Sequence, residues 1–173
     1  TSNKFRVFIK EILTQKKIMV KKFIYLDDGF YKFNDSQIPQ FFTFAISINI
    51  LKKNLSHAKV SSGLKVYLSR NNSSYRNLIN EGDLRDTLKK KNFLIVDTNN
   101  MSVFEQIKIF SGAEVIIGPT SSALTNLVFS KKGTRVIEII PKYKYDYETT
   151  FKKRYSKICK YRELKYISIE ADP

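Results

Sequence analysis

Between Leu64 and Ile140 short apolar runs alternate with stretches that carry helix start and stop signals. This alternation restricts the fold more than any other feature. Lys65-Val66-Tyr67-Leu68 is a β-prone run. Asn80 then stands as the N-cap of a helix through Lys90, with Asp83 placed to return a hydrogen bond as in a capping box. Phe93-Leu94-Ile95-Val96 is unbroken apolar, the pattern of a strand covered on both faces in a parallel sheet. Ser102-Val103-Phe104-Glu105 is a second capping box, and its helix is expected to end near Gly112 on a C-terminal glycine. Val115-Ile116-Ile117 is a third strand, Ser122 to Phe129 a short helix, and Arg135 to Ile140 a fourth strand. Strands and helices alternating at this spacing predict βαβ units and an α/β fold, a Rossmann-like doubly wound, mainly parallel sheet.

The flanks carry weaker patterns. Phe5 to Leu13 predicts an amphipathic helix, Met19 to Leu26 a strand and Phe41 to Leu51 an apolar-rich helix. Beyond Pro141, Tyr143 to Tyr147 reads as a loop, Phe151 to Tyr161 as a helix and Tyr166 to Ile169 as a last strand. No repeat or low-complexity linker divides the chain. Residues 1–173 are therefore read as a single Rossmann-like domain, with 64–140 as its core motif region and 1–63 as its flank. A start at Thr1 and an end at Ala171-Asp172-Pro173 predict an excised part of a longer chain.

A hydrophobic content of 42% supplies a packed core, yet Lys and Asn interrupt every apolar run before the about 18 to 20 residues of a membrane span. Cys159 is the one cysteine, which rules out an internal disulfide and favours a reducing compartment. The net charge of +15 raises the question of nucleic acid. The lysines are scattered in pairs (Lys16-Lys17, Lys21-Lys22, Lys52-Lys53, Lys131-Lys132), and the densest run, Lys89 to Lys91, closes a helix where cations suit the dipole. The expectation is a solvated basic surface with no nucleic-acid partner. An anionic membrane surface fits that charge, which places the chain in the cytoplasm or peripherally at the inner face of the membrane.

Ligands of open α/β sheets gather outside the carboxyl ends of the strands. Three polar stretches are expected there. Gly118-Pro119-Thr120-Ser121-Ser122-Ala123-Leu124-Thr125-Asn126 follows the third strand and opens a helix, so its backbone N–H groups suit a phosphate; an ordinary turn capped by Ser121 or Ser122 is the alternative. Ser69 to Arg76 follows the first strand, and its bracketing arginines, Arg70 and Arg76, suit a bidentate grip on phosphate oxygens or form part of a solvated loop. Asp97-Thr98-Asn99-Asn100 reads as a plain turn. Glu138 interrupts an apolar strand and therefore needs a partner, either ribose hydroxyls or an ion pair with Arg70 or Arg135. His57 reads as structural, and Asp27-Asp28 before Gly29 as a turn rather than a metal site or base. No P-loop, dinucleotide glycine motif, zinc spacing or nucleophile elbow occurs.

Tyr67-Leu68-Ser69-Arg70, Arg76, Asn80-Glu81, Ser102 to Gln106, Gly118 to Asn126 and Val136-Ile137-Glu138 together resemble family-61 glycosyltransferases, in order and spacing from about Tyr67 to Pro141. The resemblance implies an inverting enzyme of GT-B type, of the kind that builds bacterial surface polysaccharides. It would transfer sugar from a nucleotide-sugar donor such as a UDP-sugar to a glycan or lipid-linked glycan acceptor. This chain would supply the C-terminal, donor-binding half; the N-terminal half of that family carries a His-Trp pair, and this sequence has no Trp. By the same resemblance Arg70 and Arg76 contact the diphosphate, with the N–H groups of Ser121, Ser122 and Ala123 as its cradle. Asn126 fixes the turn and Glu138 meets the ribose. Positive charge and helix dipole then stabilise the departing nucleoside diphosphate without a metal or other cofactor. Where the family tends to show Pro-His-Gly-Ala, this chain has Pro119-Thr120-Ser121-Ser122. The hydroxyls either donate in place of the lost His or mark an altered site. The competing expectations are a non-catalytic nucleotide- or glycan-binding module with the same fold, and polyanion binding through the basic surface.

Overall fold

A computed structural model describes residues 6–7, 10–11, 13–14, 17, 19–24, 30, 32, 62–70, 78–142 and 154–171. The chain forms two compact units, Thr1–Asn54 and Leu55–Pro173.

In the first unit residues 6, 7, 10, 11, 13 and 14 are helical, in line with the expected amphipathic helix, and the Lys10 ammonium sits 5.4 Å from the centre of the Phe23 ring. The strand expected from Met19 is not formed over residues 19–24, which are irregular and exposed. A β-prone composition makes a strand only where a neighbour takes its backbone groups, and Lys21-Lys22 breaks the alternation that would pack it. The helix expected over Phe41 to Leu51, and with it His57 and Asp27-Asp28, lies outside the described residues.

Over its described residues the second unit is a five-stranded, all-parallel sheet with flanking helices. In chain order it comprises β1 (Leu64–Leu68), α1 (Glu81–Lys90), β2 (Leu94–Val96), a 3₁₀ turn (Thr98–Asn100), α2 (Val103–Gly112), β3 (Ala113–Pro119), a 3₁₀ helix (Ser122–Phe129), β4 (Arg135–Pro141), α3 (Arg154–Tyr161) and β5 (Lys165–Ala171). The strand order is β2-β1-β3-β4-β5. Val66, Ile116, Val136 and Tyr166 share one register row; Tyr67, Ile117, Ile137 and Ile167 share the next, pointing to the opposite face. Tyr67, Leu88 and Ile139 form a core cluster beneath α1. The 3₁₀ helix packs between α2 and α3, with α2 against β1 and β3 and α3 against β5.

Local sequence explains most element ends. At α2 the Ser102 hydroxyl accepts from the Glu105 N–H at 3.3 Å and the Glu105 carboxylate accepts from the Ser102 N–H at 2.8 Å, the full capping box. Three expectations need correction. Asn80 makes no side-chain cap bond at α1, because its backbone is outside the extended conformation such a cap uses; Asp83 stays exposed, and the acid that turns inward is Glu81. Gly112 is not a left-handed cap: α2 runs directly into β3, with Ala113 already extended. Finally, β2 is an edge strand, and Leu94 is 45% exposed rather than covered.

Candidate functional site

The chain enters the sheet at β1, adds β2 on one side, then returns to add β3 on the other. The strand order therefore reverses between β1 and β3, and the crevice at the carboxyl ends of those two strands is where open α/β sheets hold ligands. Both stretches that the sequence suggests for an anion begin there. Ser69-Arg70 continues β1, its first residue donating an N–H to Val96 at 2.8 Å, and Thr120 to Ala123 continues β3, with the Thr120 N–H bonded to Ile139 at 2.9 Å.

Gly118 sets the approach of the two strands. A Cβ at this position would lie 2.7 Å from the Leu68 Cβ and 3.2 Å from its carbonyl oxygen, closer than real side chains come. The glycine is demanded by proximity rather than by an unusual backbone angle.

Beyond β3, Thr120 and Ser121 are buried and Ser122 is exposed. The following helix is 3₁₀ rather than α, in keeping with the poor α-helix propensity of Thr125, Asn126 and Val128. Its first turn closes with the Leu124 N–H on the Ser121 carbonyl at 3.1 Å, so the Ser122 and Ala123 N–H groups precede the hydrogen-bonded ladder. Asn126 is held from the side: its Nδ2 donates to Gln106 Oε1 at 2.7 Å, and Gln106 Nε2 in turn donates to the Met101 and Thr98 carbonyls. The stretch Asp97 to Asn100, expected as a turn, is the 3₁₀ turn that Gln106 grips, capped by Asp97 on the Asn99 N–H at 2.9 Å.

Two buried glutamates stand behind these loops, each bound by a tyrosine. Glu81, in the first turn of α1, accepts on Oε1 from the Ser69 hydroxyl at 2.9 Å, the Arg70 N–H at 2.9 Å and the Tyr67 hydroxyl at 3.2 Å. Burial first, and the neighbouring Glu81 second, push the Tyr67 hydroxyl well above its usual range. Glu138 has no exposed surface; its Oε2 accepts from Tyr166 at 2.7 Å, and its buried Oε1 has no hydrogen-bond partner. Burial pushes its carboxyl above the usual range, while the Thr120 and Tyr166 hydroxyls and the Arg154 charge pull it back. Arg135, one of the cations considered for Glu138, binds Glu114 at 2.7 Å instead, and the charge that acts on Glu138 is Arg154. Arg76 lies outside the described residues. Among the described residues no group of three His, Cys, Asp or Glu side chains is arranged to hold a metal ion, and no helix is long and apolar enough to cross a membrane.

Sequence reading left Glu81, Tyr67, Gln106 and Tyr166 without roles. An acid at a helix start is ordinary, so nothing local marks Glu81 as buried, and the two tyrosine contacts exist only once the sheet is assembled.

The family model described as Glycosyltransferase 61 matches residues 5–137, more than three quarters of the 173. The chain belongs to glycosyltransferase family 61. Membership implies glycosyl transfer, with a sugar donor and a glycan acceptor. The match extends well N-terminal of Tyr67 and includes Arg70, Arg76 and the Thr120 to Asn126 turn; Glu138 falls one residue beyond it. No curated protein is similar enough to the chain to match it.

Proposed function

We propose that this family-61 chain binds a nucleotide-sugar donor, a UDP-sugar first among them, in the crevice between the ends of β1 and β3. The observation that carries the reading is the adjacency of Ser69-Arg70 and Thr120 to Ala123 at the point where strand order reverses. Arg70 and Arg76 grip the diphosphate, a task that suits guanidinium forks. The N–H groups of Ser121, Ser122 and Ala123 cradle it, and Asn126, fixed by Gln106, holds their turn in shape. Glu138 supports the same turn from within, beside Thr120, instead of reaching the ribose from its buried position.

Departure of the nucleoside diphosphate is then stabilised by fixed cations and N–H dipoles without a metal, and the transfer is inverting. The chain acts as the donor half of a GT-B enzyme whose other half holds the glycan or lipid-linked acceptor, and its basic surface rests against the anionic inner face of the membrane. Calorimetric titration with UDP, GDP and CMP, at about 150 mM salt without metal, tests the site. Micromolar binding of one nucleotide that is weakened about tenfold or more in Arg70→Ala supports the reading. Unchanged binding in that variant overturns it.

A second reading, a nucleotide-binding module that has lost transfer, is favoured by the burial of Thr120 and Ser121, which occupy the places of the family's His and Gly. It predicts nucleotide binding with no release of sugar from any donor by the intact protein.

A further inference from the structure

Glu81 is a charged group sealed under the loop that begins the crevice. It is 3% exposed, and three donors converge on a single oxygen: the Ser69 hydroxyl, the Arg70 N–H and the Tyr67 hydroxyl. The second oxygen is buried without a hydrogen-bond partner. A buried carboxylate so lopsidedly used is costly as a stability device alone, since half of its acceptor capacity is desolvated and unpaired. The three bonds share one target. They join the last turn of backbone leaving β1 to the first turn of α1, on either side of the segment that contains Arg76.

We infer that Glu81 is a positioning residue of the donor site, holding the Ser69-Arg70 backbone so that Arg70 is presented to the diphosphate. This rests on the donor reading above. Ionised carboxylates are stronger acceptors than amides, and one that gathers a backbone N–H and two hydroxyls fixes the peptide from which the arginine side chain springs. The carboxylate also occupies the first turn of α1, so that helix end already has its anion and the incoming phosphate is left to the arginines and the β3 turn.

The test is a cycle in the intact protein with UDP as the probe, using Glu81→Leu, Glu81→Gln, Arg70→Ala and the double variant Arg70→Ala/Glu81→Leu, each first shown to be folded by its thermal transition. Glu81→Leu is expected to weaken UDP binding about tenfold. Glu81→Gln, which keeps an oxygen for the same donors, is expected to restore binding to within about threefold. In the Arg70→Ala background Glu81→Leu should cost less than about twofold more, because both changes remove one function. Amide exchange at Arg70 should accelerate in Glu81→Leu whether or not nucleotide is present. A folded Glu81→Leu that binds UDP as the wild type does, a full further loss in the Arg70→Ala background, or unchanged Arg70 exchange overturns the role of Glu81 while leaving the donor site standing. Wild-type UDP affinity in Arg70→Ala overturns the donor site itself, and the role of Glu81 with it. Should Glu81→Leu fail to fold, Ser69→Ala takes its place: faster Arg70 exchange with weakened UDP binding supports the role, and no change in either overturns it.

Discussion

Tyr166 donates its hydroxyl to Glu138 along a diagonal of the sheet: Tyr166 pairs with Val136, and Glu138 pairs with Ser168 two residues further on. Same-face neighbours on this diagonal are within reach of an aromatic side chain. Tyr166→Phe removes the donor and leaves both Glu138 oxygens desolvated. The expected cost is about 1–3 kcal/mol, read from urea unfolding followed by circular dichroism.

The pH dependence of Glu138 runs opposite to that of an ordinary paired carboxylate. Its folded pKa is raised by burial, so its contribution is most favourable below the unfolded carboxyl range and is lost as pH rises through the raised value. Glu138→Gln should therefore gain in stability relative to wild type as pH rises from about 4 to 7, the window above the unfolded pKa. Denaturant midpoints of the two proteins across that range give the answer; a variant midpoint that falls relative to wild type as pH rises would refute the burial argument. Glu105, exposed and lowered by the Ser102 backbone and side-chain bonds, works the other way, its contribution fading as pH falls.

Gly118→Ala should act where β1 meets β3. The added Cβ meets backbone-linked atoms of Leu68 rather than a yielding side-chain tip. The expected loss is about 1–3 kcal/mol of stability, accompanied by weaker UDP binding because the ends of both strands move apart.

Glu163 adopts a left-handed backbone, with φ of 54°, two residues beyond the end of α3, where the Leu164 N–H returns to the Cys159 carbonyl at 2.8 Å. Glycine belongs at such a position. Glu163→Gly gives up an ion pair to Lys132 whose side chains are both exposed. Such pairs contribute little, so net stabilisation of up to about 1 kcal/mol is expected, visible as a thermal midpoint higher by about 2–4 °C.

Cys159 is fully buried and its thiol is pushed up to about 12 by burial and by Glu138. Since the thiolate is the reactive form, the native protein should resist a thiol reagent at pH 8 and expose one reactive thiol on unfolding. Rapid labelling of the folded protein would show that α3 detaches from the sheet.

What could be read from the sequence follows the range of the interaction. The Ser102 capping box spans three residues and was legible in full, as were the strands β1 to β4 by type and by their sequence along the chain. The α1 cap was misread because the competition between Asp83 and Glu81 is settled by Tyr67 and Ser69, more than ten residues upstream. The need of Glu138 for a partner was plain from its apolar neighbours, but the identity of that partner depends on the β4–β5 register, which no local pattern encodes. The two polar stretches of the crevice were both anticipated; their adjacency rests on strand order, a property of the assembled sheet.

The passage from α2 into β3 without an intervening residue closes a ring. Covalent chain joins Gly112 to Ala113 at one end, and the Gln106–Asn126 bond joins the same helix to the far side of the turn at the other. Such a bracket has little compliance. A displacement of the turn by a guest is passed to the whole helix instead of being absorbed by slack chain, and an insertion at residues 112–113 should be poorly tolerated.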